Sequence, residues 1–98
     1  MKTIISKSAQ KLIDTFSKRE LDVFNTGIGY LMNDMEHIVN CYKERDIYKH
    51  SEPEKYTRAI VHQTNMSFRC KYLLQCLELH VYDNYETNTI EVKTSKDK

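Results

Sequence analysis

Glycine and proline are scarce in this chain, with two of the first and one of the second in 98 residues. Folds built from many strands need many turns, and turns draw on those residues. The scarcity argues against an all-β fold and predicts helices. A dominant charge is missing too, since the net charge is +1. Phosphate binding needs a concentrated positive field, so direct nucleic-acid binding is not expected. No run approaches the roughly 18 apolar residues of a membrane span, and none is expected. The start, "MKTIISK", holds too short an apolar run for a signal peptide. Three cysteines make an odd number without framework spacing. Reduced thiols in a nuclear or otherwise intracellular compartment are the simplest expectation. No Gly-rich phosphate loop, hydrolase elbow or paired carboxylates occur. No cofactor, metal or small-molecule substrate is therefore expected.

What is present is a foldable mixture, 40% hydrophobic and 30% charged. A chain this short makes one domain with a thin core. The spacing predicts an all-α fold, a small bundle of three helices. The first runs from Ser6 or Ser8 to Lys18, with Ala9, Leu12, Ile13 and Phe16 on one stripe. The charged segment 17–23 reads as a turn. The second helix starts at Asn25 as N-cap, with Ile28, Leu31, Met32, Met35, Ile38, Val39 and Tyr42 inward. Gly27 and Gly29 lie in its first turn, or permit another backbone to approach closely. The third helix begins at the capping box Ser51-Glu52-Pro53-Glu54 and meets no breaker until Asp83-Asn84. Ala59, Met66, Cys70, Leu73, Leu77 and Val81 form its stripe, with Ile60 and Leu74 beside it. About thirty residues make about 45 Å of helix, whose far end should project or meet a partner. Thr89–Lys93 alternates as a short strand, and residues 94–98 read as a solvated tail. The division is thus a helical domain over 1–84 and a strand-like segment with tail over 85–98.

Candidate chemistry is sparse. Arg45 and His50, separated by "DIYK", resemble the motif of the all-helical HEPN ribonucleases. An arginine there would stabilise phosphate charge and a histidine would move a proton. A solvated loop is the plainer reading. His37 and Cys41 stand at i, i+4, and His62, Cys70, Cys76 and His80 could add metal ligands, but no tight cysteine pair exists. Small apolar filling is the plainer role for the cysteines. The seven tyrosines and three phenylalanines are scattered, so packing is expected over base stacking.

One ordered set of short motifs remains. Ala9-Gln10-Lys11-Leu12-Ile13, then Phe24-Asn25, then Asn33-Asp34-Met35, then His62 and Arg69-Cys70-Lys71-Tyr72-Leu73-Leu74 follow one another. This order resembles the helical domain of the Psf-one subunit of the eukaryotic GINS replication complex, over residues 9 to 82. The resemblance implies a non-catalytic scaffold in a nuclear hetero-oligomer. Its implied partners are other GINS-like subunits and components of the replicative helicase. Cys70 would then pack inward, while Arg69, about 100° around the helix, faces a partner. Lys71, Tyr72, Gln75 and Glu78 join Arg69 as interface candidates.

Overall fold

A computed structural model describes residues 2–47 and 51–97. Strand β1 (Lys2–Ile5) leads into helix α1 (Lys7–Ile13). Helices α2 (Lys18–Ile47) and α3 (Pro53–Gln75) follow, then strands β2 (His80–Asn84) and β3 (Thr89–Lys93). The protein is mainly helical but not all-α, and its longest helix is the middle one. The strands form one sheet in the order β1-β3-β2, with β1 parallel and β2 antiparallel to β3. Among the described residues no helix is long and apolar enough to cross a membrane.

Helix α2 begins seven residues before Asn25 because a different capping box starts it. The Ser17 hydroxyl accepts the Glu20 N–H at 3.2 Å, and the Glu20 carboxylate accepts the Ser17 N–H at 2.9 Å. The expected turn over 17–23 is therefore helix, anchored by buried Phe24 and half-buried Leu21. Helix α1 stops correspondingly early, at Ile13, capped at its start by Ser6.

The box at Ser51 does not form as expected. A residue before proline avoids the helical region, and Glu52 sits at φ −133°, ψ 44°. Glu52 is thus the N-cap, makes no side-chain capping bond, and leaves Pro53 to open the helix. At the far end α3 stops at Gln75 rather than running to Asp83. Glu78 takes a left-handed φ of 65°. Its N–H reaches the Gln75 carbonyl at 2.8 Å, and the Leu79 N–H reaches the Leu74 carbonyl at 3.1 Å. This Schellman closure turns the chain into β2.

The two long helices run antiparallel along one seam. Gly27 faces Leu74, Asp34 faces Ser67, and Cys41 and Ile60 share one apolar cluster. Those positions step by seven in both helices, and all are buried. The inward stripe of α3 is therefore Ile60, Ser67 and Leu74, one residue round from the expected one. Leu73 is 55% exposed, which corrects its assignment to the core. The physical reason is Ser67, a polar residue on the buried face that masks the true stripe. Tyr42 is likewise 42% exposed, because Ile38 and Cys41 take the inward places on its turn. Ile13, Ile28, Leu31, Met35 and Ile38 are buried as the spacing predicts. Leu12, Phe16, Met32, Cys70 and Leu77 pack against that core half-buried, and Val39 is half-buried too.

Gly27 is needed and Gly29 is not. A Cβ on Gly27 would meet Leu74 Cδ2 at 3.1 Å, whereas one on Gly29 meets nothing within 4 Å. Gly29→Ala should therefore stabilise by about 1 kcal/mol, the helix-propensity gain. Gly27→Ala should forfeit that gain against the locked Leu74 side chain. Thermal melts of the two variants check this. A Gly27→Ala protein as stable as Gly29→Ala would show that the seam has slack there.

The main core lies where the sheet meets the helices. Ile90 and Val92 of the central strand are wholly buried with Leu79, Leu74 and Ala9. A smaller cluster of Ile38, Cys41 and Ile60 fills the distal part of the helical hairpin. Residues 94–97 are not a loose tail. The Asp97 carboxylate accepts the Ser6 and Ser8 hydroxyls at 2.6 Å each and the Thr94 N–H at 2.9 Å.

Candidate functional site

The outer face of α3 is unusually apolar for solvent-exposed helix. Val61, Phe68, Tyr72 and Leu73 are all at least half exposed, and Met66 is exposed beside them. At 100° per residue, Val61, Phe68 and Tyr72 lie about 60–100° to one side of Arg69, and Met66 and Leu73 about 40–60° to the other. The helix thus carries two apolar ridges with Arg69 between them. Scattered exposed apolar residues are ordinary, whereas a group gathered on one helix calls for an explanation. It exists because the seam takes only Ile60, Ser67 and Leu74 fully inward.

The interface candidates divide on this frame. Arg69, Tyr72, Gln75 and Glu78 are exposed. Arg69 has no ion-pair partner among the described residues. Lys71 is not on that face. Its ammonium lies 2.5 Å from Asp83 Oδ1 with both side chains largely buried, and it also rests over the Phe68 ring at 5.4 Å. Glu78 serves the turn that closes α3. Val61 and Phe68 belong to this face although the spacing did not single them out, and Leu73 belongs to it rather than to the core. Their signal was present, since residues 55–77 contain no Asp or Glu and many apolar side chains.

A buried polar strip crosses the seam behind this face. Asp34 is 9% exposed and Ser67 is 2% exposed. Burial pushes the Asp34 carboxyl up, opposed by nearby His37 and His62 and by the Ser67 hydroxyl donating to it. Next to it, the Tyr85 hydroxyl donates to Asp83 Oδ2 at 3.0 Å. Burial, then the Asp83 charge, raises the Tyr85 phenol well above its ordinary value. Burial also raises the Cys41 and Cys70 thiols, with Glu44 and Asp34 respectively adding to it. Neither is an activated nucleophile. Cys41 Sγ is 3.7 Å from His37 Nε2. Among the described residues no group of three or more His, Cys, Asp or Glu is placed to hold a metal ion. Arg45 stacks over the Tyr42 ring at 5.5 Å, and its proposed catalytic companion His50 lies outside the described residues.

Asp34 supplies a pH test. A carboxyl whose value is raised by folding stabilises the native state below its unfolded value, near 3.9, and loses that contribution as pH rises through the folded value. Asp34→Asn keeps the shape and removes the titration. The melting temperature of Asp34→Asn relative to wild type should therefore climb as pH increases from about 4. A difference that stays constant with pH would show that Asp34 is solvated. Asp97 has the opposite sign. Its bonds from Ser6, Ser8 and Thr94 hold it down at about 2, so that contribution is lost as pH falls through that value.

A cleft of about 800 Å³ opens beside α1, rimmed by Lys7, Lys11, Lys96 and His80. Its Ser8 and Thr94 hydroxyls are engaged internally, with Ser8 bonded to both Thr94 and Asp97. This network fastens the chain's end to α1.

Comparison with known proteins adds no relative: no family model, curated protein or solved structure matches the chain.

Proposed function

We propose that this protein is a non-catalytic interaction module that docks a partner protein on the outer face of α3. The observation that carries this reading is the group Val61, Phe68, Tyr72 and Leu73, each more than half exposed on one helix. Keeping such side chains in water costs about 25 cal/mol for every Å² that a partner could cover. The raised thiols and the internally satisfied polar strip favour a structural role over a chemical one. The narrower form of the proposal is a scaffold subunit of a GINS-like assembly acting with the replicative helicase in the nucleus. The ordered motifs from Ala9 to Leu74, with Arg69 outward on the docking face, support it.

Co-expression with the other GINS subunits tests the narrow form, and retention of this chain through size exclusion is the expected result. The broad form is tested by Phe68→Asp combined with Leu73→Asp. Both positions are exposed, so melting should change little. Capture of partners should fall by at least about tenfold, the loss of a central apolar anchor. Unchanged capture by the double variant would place the interface elsewhere on the molecule.

A further inference from the structure

We infer that the partner segment seated on α3 is an acidic amphipathic helix. This rests on the docking role proposed above and adds the chemistry of what docks.

The first observation is charge. Between Glu54 and Glu78 the chain has no acidic residue, while Lys55, Arg58, Arg69 and Lys71 are fixed cations. Two of these are already answered within the protein. Arg58 pairs with Glu54 at 3.6 Å, and Lys71 pairs with Asp83. Arg69 is exposed, has no ion pair among the described residues, and stands between the two apolar ridges. A guanidinium in that place binds a carboxylate through two parallel hydrogen bonds once the ridges are covered and water is displaced.

The second observation is shape. Val61 to Tyr72 is twelve residues, whose eleven steps cover about 16 Å of helix axis. Two ridges with a polar valley between them accept the ridge of a second helix. About three turns of partner helix would cover them. Its apolar side chains would recur at i, i+3, i+4 and i+7, with carboxylates set to reach Arg69.

Nucleic acid fits the same face less well. Phe68 and Tyr72 could stack bases, but Val61, Met66 and Leu73 have no π-face to offer them. With Arg58 and Lys71 neutralised internally, too few cations remain to follow a phosphate backbone.

The test uses the full chain and two fluorescent helical peptides of about 18 residues with identical leucine positions. One carries glutamate and the other lysine at the remaining sites, and a fluorescent oligothymidylate is the third probe. Anisotropy should show the glutamate peptide binding at least about tenfold more tightly than the lysine peptide at low salt, the gap narrowing as salt rises. Arg69→Glu should reverse that preference, and Phe68→Asp with Leu73→Asp should abolish binding of both peptides. Equal binding of the two peptides, or no effect of Arg69→Glu, overturns the acidic partner while the docking face stands. Peptide binding that survives the double aspartate variant overturns the docking face itself. Failure of both peptides to bind overturns the inference, as does oligothymidylate binding more tightly than either peptide and depending on Arg69. Melting curves of every variant confirm that each one is folded.

Discussion

Leu74→Ala is expected to cost about 3–5 kcal/mol, and Leu73→Ala, one residue earlier, less than about 1 kcal/mol. Leu74 has no exposed surface, whereas Leu73 is 55% exposed. The hole left at Leu74 would be hard to fill. Its neighbour across the seam is Gly27, which has no side chain to move inward. On its other flank Leu79 is held by the hydrogen bond that closes α3. The cavity term therefore persists on top of the lost transfer energy. Domains of this size have about 5–15 kcal/mol in total, so the loss is a large share of stability. The melting temperature should fall by more than about 10 °C for Leu74→Ala and by only a few degrees for Leu73→Ala. The reverse ranking would mean that α3 is rotated by one residue from the orientation described.

Lys71→Ala should have the next largest effect, a loss of about 2–3 kcal/mol. The Lys71 ammonium and Asp83 side chains are 23% and 13% exposed, so neither is well solvated. Removing the ammonium leaves a mostly buried carboxylate with the Tyr85 hydroxyl as its remaining partner. The pair also ties α3 to β2, so its loss loosens the joint between helices and sheet. Removing both charges should be less harmful than the two single changes added together. A double-mutant cycle with Asp83→Ala should show a coupling of about 1–2 kcal/mol. The exposed pair Arg58–Glu54, with side chains 82% and 86% exposed, is the control. Arg58→Ala should change stability by less than about 0.5 kcal/mol. A Lys71→Ala protein that melts like Arg58→Ala would show that the Asp83 carboxylate finds water.

Local pattern was enough for the features that repeat along a helix or strand. The inward face of α2 follows from Ile28, Leu31, Met35 and Ile38, because each helical turn repeats the same apolar demand. Strand β3 lies where the alternation of Thr89 to Lys93 predicts it. The Ser17-to-Glu20 box was also legible, and reading 17–23 by its charge obscured it. Likewise Leu77, Leu79 and Val81 change to a period of two, which marks the end of α3. Of the proposed docking face, the missing acidic residues and the outward Arg69 could be read directly.

Other features depended on residues far apart in the chain. Strand β1 is four residues long and takes its conformation from pairing with β3, 87 positions away at Lys2 and Thr89. The 94–97 segment is ordered by Ser6 and Ser8 at the opposite end of the sequence. Above all, the choice between Leu73 and Leu74 could not be made from α3 alone. It needed Gly27 to admit a large side chain and Asp34 to accept a buried serine hydroxyl. Both come from α2, so the tertiary pairing decides which side of α3 is hidden. The same pairing decides which apolar side chains of α3 stay exposed. By itself the sequence determined where apolar and charged residues recur. Only the folded structure decided which of them face one another, because burial depends on the partner across the seam.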